Sequence, residues 1–210
     1  MSSERKTTRN VNSEYWDEFA RLNPETVCIR ALADYQVKQG GYTLPVLNRD
    51  YIVLPSQKQI KRLAENGTPT EENLTREFIL LVLFYLLHCK NIPLARTWIS
   101  EKDLPGGETF FRGPHALSVD LIEKKYGENP EGFVEAGKLL GGTPVRFGDK
   151  SVALDVFPRI PIIYILWVGD EEFPPRAGVL FDASIESHFT LDMIWIMVNQ
   201  VSQRLVEAAE

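Results

Sequence analysis

The residues able to do chemistry gather in two stretches. The first is acidic: Asp170-Glu171-Glu172 lies between an apolar run and a double proline, and Asp182 and His188 follow the next short apolar segment. Carboxylates with one imidazole form an oxygen-rich ligand set that suits manganese, zinc or iron without choosing among them. Asp170, Glu171, Asp182 and His188 are therefore candidate ligands, or acid/base groups, of a metal-dependent enzyme. The same residues also read as a solvated acidic turn with an Asx-type cap at Asp182-Ala183-Ser184. If the flanking strands pair as a hairpin, Asp170 and Asp182 emerge at opposite ends of the ladder, which counts against a shared metal.

The second stretch is Leu104-Pro105-Gly106-Gly107-Glu108-Thr109-Phe110-Phe111-Arg112. Paired glycines permit positive φ and close backbone approach, so an anion could be cradled by backbone N–H groups. Arg112 stands just before Pro114, where a helix start and a guanidinium together favour a carboxylate or phosphate. Trp98, Gly106, Gly107, Arg112, Arg159 and Asp170 then form an expected pocket for an anionic small molecule or a partner segment. A plain hairpin turn at Gly106-Gly107 is the simpler alternative. No phosphate-binding G-x-x-x-x-G-K-[ST], dinucleotide G-x-G-x-x-G, G-x-S-x-G elbow or H-E-x-x-H occurs. Nothing therefore points to an activated nucleophile, and no cofactor is indicated. His88, next to Cys89 at the end of an apolar run, reads as a core imidazole; His115 falls in the first turn after Pro114. Trp98, Trp167, Tyr164 and Phe173 could line a pocket, but aromatics on strands read first as core.

These residues need elements to place them. Ser13 opens a short amphipathic helix, and Asn23-Pro24 restarts another with Asn as cap and Pro in the first turn. Residues 42–47 and 51–54 flank Asn48-Arg49-Asp50 as a hairpin. Thr68-Pro69-Thr70-Glu71 has the capping-box arrangement for a helix reaching about Cys89, apolar all round from Phe78 onward and hence buried. Helices are expected over Pro114–Tyr126 and from Asn129-Pro130 to Leu140. A second hairpin follows, with residues 145–147 and 152–156 around Gly148-Asp149-Lys150. Strands at 160–168 and 179–181 come next, and Thr190 caps a last helix. No internal repeat is visible in the sequence. The reading is α+β: a mainly antiparallel sheet built from hairpins, packed against a buried central helix and flanking helices. A basic tail over residues 1–12 precedes a single domain over residues 13–210.

Length and charge narrow the classes. A chain of 210 residues, 44% hydrophobic and 25% charged, has ordinary globular composition. The formal charge is −6, and the first twelve residues carry Arg5, Lys6 and Arg9 against Glu4, so the remainder is more acidic still. Such a surface repels phosphate backbones and anionic lipid, which argues against nucleic-acid and membrane partners. Two cysteines, Cys28 and Cys89, are too few for a disulfide framework and stand in no C-x-x-C pair. A reducing cytoplasm follows as the expected location. The longest apolar run, Phe78 to Leu87, is half a membrane span, and the N-terminus lacks the apolar core of a signal peptide.

Several segments carry a family likeness. Trp98-Ile99-Ser100, Leu104-Pro105-Gly106-Gly107, Leu140-Gly141-Gly142 and Pro158-Arg159-Ile160-Pro161 belong to it, with Leu166–Pro174 and Leu180-Phe181-Asp182-Ala183-Ser184. Together they resemble the Domain of Unknown Function 3786 family of anaerobic bacteria and archaea, over nearly the whole chain after the basic tail. The G-D-E-E-F-P and L-F-D-x-S segments are its most specific parts. The resemblance implies a loose association with anaerobic cofactor or one-carbon metabolism, and it assigns no catalytic residue. Some members resemble chains with an added iron–sulfur module; this sequence lacks the cysteines for one. The expected function is a cytoplasmic binding or accessory protein. A metal-dependent enzyme and an interaction-only subunit are the alternatives.

Overall fold

A computed structural model describes residues 13–208; the expected basic tail lies outside the described residues. The fold is α+β with two antiparallel sheets. The chain divides into two compact units, Met1–Ile92 and Pro93–Glu210, and among the described residues no helix is long and apolar enough to cross a membrane.

The first unit opens with α1 (residues 13–19) and α2 (Pro24–Ala31). Asn23 caps α2, its side-chain oxygen accepting from Thr26 N at 3.2 Å. Strands β1 (Asp34–Gln36), β2 (Gly41–Val46), β3 (Arg49–Leu54), β4 (Gln59–Leu63) and β5 (Pro69–Thr70) then form a meander in sequence order. The β2–β3 connection is shorter than the expected three-residue break. Leu47 and Asn48, at φ 48° and 60°, make a two-residue turn of the kind whose twist matches the strands. Helix α3 (Arg76–His88) closes the unit.

Helix α3 begins seven residues later than the capping box at Thr68 suggests. Residues 64–70 turn back instead: Ala64 N donates to Thr68 O, and Pro69 and Thr70 pair with Leu63 and Arg62. Thr75 is the cap, its Oγ1 accepting from Phe78 N at 3.1 Å. Phe78, Leu81, Val82, Leu83, Tyr85, Leu86 and Leu87 are buried, each large apolar side chain contributing roughly 1.5–3 kcal/mol. The burial is not all-round, however. Phe84 and His88, four residues apart on one outer stripe, are half-buried and exposed respectively, so His88 is not the expected core imidazole.

The second unit contains β6 (Trp98–Ile99), α4 (Gly107–Phe110), α5 (Asp120–Tyr126) and α6 (Pro130–Leu139). Then come β7 (Thr143–Pro144), β8 (Lys150–Phe157), β9 (Ile160–Trp167), β10 (Arg176–Asp182) and α7 (Leu191–Glu207). Its sheet order is β6-β10-β9-β8-β7. The helix expected from Pro114 is interrupted: Gly113–His115 forms a 3-10 turn, and α5 starts only at Asp120. The carbonyl of Ala116 is taken by Trp195 Nε1 at 3.2 Å, so it does not accept the helical bond that would join the two pieces. Gly106-Gly107 is likewise not a hairpin turn: Gly106, at φ 78°, precedes the short helix α4. The expected 145–147/152–156 hairpin is displaced: the strand that pairs with β8 on this side is Thr143–Pro144, and Val145 and Phe147 follow it as a loop held to Ser151, whose carbonyl accepts from Val145 N at 3.0 Å and whose Oγ accepts from Phe147 N at 3.0 Å.

The two units share one order of elements, a repeat that residue-by-residue inspection does not show. Each has a helix started by Asn-Pro-Glu, at Asn23-Pro24-Glu25 and Asn129-Pro130-Glu131. In both, the Asn side chain accepts from the residue three positions on. Each then has a four-strand meander whose second and third strands join through two residues, 47–48 and 158–159. A two-residue strand lies beside the fourth in both sheets, but β5 follows its meander in the chain and β6 precedes its own, so this strand departs from the shared order. Each ends with a helix preceded by Thr, Thr75 or Thr190, with an acid in its first turn.

Candidate functional site

In the first unit, α2 and the end of α3 line a groove of about 620 Å³. Thr26, Ile29 and Arg30 reach it from α2 because positions three and four apart share a helix face. Val27 and Ala31, on the opposite face, are buried. Leu87, His88, Cys89 and Lys90 supply the other wall as α3 ends. Cys89 leaves the helix in extended backbone, its N–H donating to Tyr85 O at 3.0 Å.

Two helix ends hold each other here. Tyr85 Oη donates to Ala31 O at 2.9 Å, closing α2. Arg30 donates through Nη2 to Leu86 O at 2.7 Å and through Nη1 to Leu87 O, closing α3. A guanidinium at helix C-termini is favourable, since each end carries roughly half a negative charge. The His88 ring packs 4.3 Å from Phe84 and 6.3 Å from Tyr15, centroid to centroid. Partial burial lowers its pKa below the ordinary value; Glu18 on α1 acts against that and Arg30 with it. Among the side chains lining the groove none is Asp or Glu, although the chain as a whole is acidic. Ile29, 54% exposed, gives the groove an apolar wall together with Leu87 and Cys89.

The residues singled out from sequence all lie in the second unit. Asp182 is 2% exposed, and its carboxylate is occupied by backbone. Oδ1 accepts from Ala95 N (2.9 Å), Ser184 N (3.0 Å) and Ser184 Oγ (2.6 Å), and Oδ2 accepts from Arg96 N (2.7 Å). Burial would raise its pKa, but the hydrogen bonds from Ser184, Ala95 and Arg96 outweigh it and hold the group below the usual carboxylate value. Asp182 thus anchors the segment leading into β6, where Arg96 stands at φ 56°. Asp170 is exposed and caps its own turn, Oδ1 accepting from Glu172 N and Phe173 N, both at 2.8 Å. Those backbone bonds lower its pKa. Glu171 is exposed beside it, and His188 is buried after a 3-10 turn, its N–H donating to Ile185 O.

Strand register separates these groups. Trp167 pairs with Arg176 and Ile162 with Phe181, so Asp170 and Asp182 stand at opposite ends of the β9–β10 ladder. Among the described residues, no group of three or more His, Cys, Asp or Glu could hold a metal ion. Arg159 precedes β9 and Asp170 follows it. Eight strand residues at about 3.3 Å each put roughly 25 Å between them, so one small molecule does not touch both. Trp98 is half-buried in β6, opposite Asp182. Gly107 is buried, and a Cβ there would come within 1.9 Å of Glu101 O; the close approach is to the chain itself. Arg112 is exposed and paired with Glu108 at 2.9 Å, which offsets its charge. A second cavity, about 140 Å³, lies along β10 between Ala177–Val179 and Glu101, Phe111 and Val119. Neither cavity is lined by Trp98, Gly106, Gly107, Arg112, Arg159 or Asp170. Of the aromatics, Tyr164 is core, donating to Val198 O at 3.0 Å, whereas Trp167 and Phe173 are exposed.

The groove was missed because its basic residues come from two separated segments, Arg30 from one and His88 with Lys90 from the other. The available signal was the outward stripe of α3, Phe84 and His88 at i and i+4, with Lys90 two residues further on.

A family profile described as a domain of unknown function (DUF3786) matches residues 23–204. No curated protein and no solved structure matches.

Proposed function

The chain belongs to the Domain of Unknown Function 3786 family, and from that premise we propose that it is a cytoplasmic binding or accessory protein that holds an anionic small molecule in the groove between α2 and the end of α3. One observation carries the reading. In a chain of net charge −6, this groove is lined by Arg30, His88 and Lys90 with no acidic side chain among its walls. Local field, not total charge, decides which ligand a cleft concentrates. Its volume falls within the roughly 300–1,000 Å³ of small-molecule sites. Cys28 and Cys89, neither of them in a disulfide, suit a reducing compartment.

Calorimetric titration with a panel of small anions tests the proposal, using Lys90→Glu, Arg112→Ala and Arg159→Ala as arms. The expected result is binding that Lys90→Glu weakens and the other two leave unchanged. Binding that depends on Arg112 or Arg159 would move the site to the second unit. No binding by any anion would remove this function.

A further inference from the structure

We infer that the cavity of about 140 Å³ beside β10 is a second binding site, for a small neutral ring of the aminopyrimidine type held by the open edge of that strand. The inference is independent of the groove between α2 and α3.

Register sets the polar edge. Along an antiparallel pair, alternate residues turn their N–H and C=O toward one neighbour or the other. Ala177 N donates to Glu123 Oε1 at 2.8 Å, away from β9. Its ladder partner Leu166 likewise turns to the far side, accepting from Asp149 N. Val179 and Phe181 therefore also face away from β9. Phe181 pairs there with Ile99, and Ala183 N donates to Thr97 O at 2.9 Å. Strand β6 then stops, because Asp103 Oδ2 accepts from Ser100 N and Ser100 Oγ and turns the chain. Val179 is 3% exposed. Among the described residues, its N–H and C=O and the C=O of Ala177 have no protein partner. Buried backbone groups are rarely left so. The three make a row of acceptor, donor and acceptor along the cavity.

The walls set the rest. Phe111, Leu117 and Val119 line the cavity, and among the described residues around it Glu101 alone is charged. A ring with an amine beside a ring nitrogen donates to Ala177 O and accepts from Val179 N–H in one plane, while its faces meet apolar residues. A cavity of roughly 150 Å³ takes one benzene-sized ring, which matches the volume here. Glu101 disfavours an anion. Length disfavours a peptide strand. Between the Phe181–Ile99 pair and the bond from Ala177 to Glu123, Val179 is the single outward-facing residue left open, too little ladder for strand addition.

The test follows the amides of the full chain by NMR during titration with 2-aminopyrimidine. Pyrimidine, 2-(dimethylamino)pyrimidine, pyrimidine-2-carboxylate and a blocked trialanine peptide serve as contrasts. Saturable shifts at Gly178 and Val179 are expected, with slower exchange of the Val179 N–H. Removing the donor, as the dimethylamino ring does, should weaken binding roughly tenfold. Val119→Phe, at a half-buried position, should abolish the shifts by filling the space. Glu101→Gln should leave aminopyrimidine binding unchanged and relieve the rejection of the carboxylate, and Lys90→Glu in the other unit should change neither. Equal affinity for pyrimidine and aminopyrimidine would overturn the role of the strand edge. Binding of the peptide without the ring would overturn the ligand class. No shift at Val179 from any ring would leave the cavity to water and overturn the site, with the groove reading untouched.

Discussion

Asp182 offers the sharpest test of how the second unit is built. Replacing it with Asn keeps the size and one oxygen. The amide oxygen can take the Oδ1 position, keeping Ala95 N, Ser184 N and Ser184 Oγ, but the NH₂ then faces Arg96 N, donor against donor. Losing one charge-assisted bond and the anion that strengthens the other three costs roughly 1.5–3 kcal/mol. Asp182→Ala removes all four bonds at a site 2% exposed and costs about 3–5 kcal/mol. Thermal midpoints should fall by roughly 3–12 °C for the Asn variant, and the amides of Ala95 and Arg96 should exchange faster than those of β9. The pH dependence follows from the direction of the shift. The folded-state pKa lies below the ordinary value of 3.8, so the contribution is complete above that value and drains away as pH falls through it toward the folded pKa. Wild type and the Asn variant should therefore converge in stability on acidification. Equal stability at neutral pH, with unchanged exchange at Ala95 and Arg96, would refute the anchoring role.

Other outcomes follow from single contacts. Thr75→Ala should destabilise by about 1 kcal/mol as the cap of α3 is lost, while Thr68→Ala should be nearly silent; urea titrations of both distinguish the two helix starts. Gly107→Ala should destabilise by about 3 kcal/mol or more, because the added Cβ meets a backbone oxygen at 1.9 Å that cannot swing away. An NMR titration of His88 should give a midpoint below 6.5 in the free protein.

What the sequence made legible was local. Asn23-Pro24 and Asn129-Pro130 announce helix starts because cap and first-turn preferences act within four residues. The β9–β10 pairing and its consequence for Asp170 and Asp182 could be foreseen from a connection too short for a crossover. Errors arose where a distant partner decided between two local options. Thr68-Pro69 has good capping chemistry, yet pairing with Leu63 wins; Pro114 is a good first-turn residue, yet Trp195 takes the carbonyl a continuous helix needs. At the candidate site residues, contacts both near and far change how a side chain reads. Arg112 looks available in the sequence, but Glu108, four residues away on the same turn, meets it. Arg30 looks like an ordinary surface charge until α3 ends beside it. The shared order of the two units is hard to see for a related reason: Asn-Pro-Glu and a Thr before the last helix recur, but the strands between them share no residue pattern.

The most direct test of the groove is a map of amide shifts across the full chain during titration with the same panel of small anions. Perturbations should centre on Ile29, Arg30, Leu87, His88 and Lys90, and Lys90→Glu should weaken them. A map centred on Arg112 and Arg159, or one without change at the end of α3, would contradict the assignment.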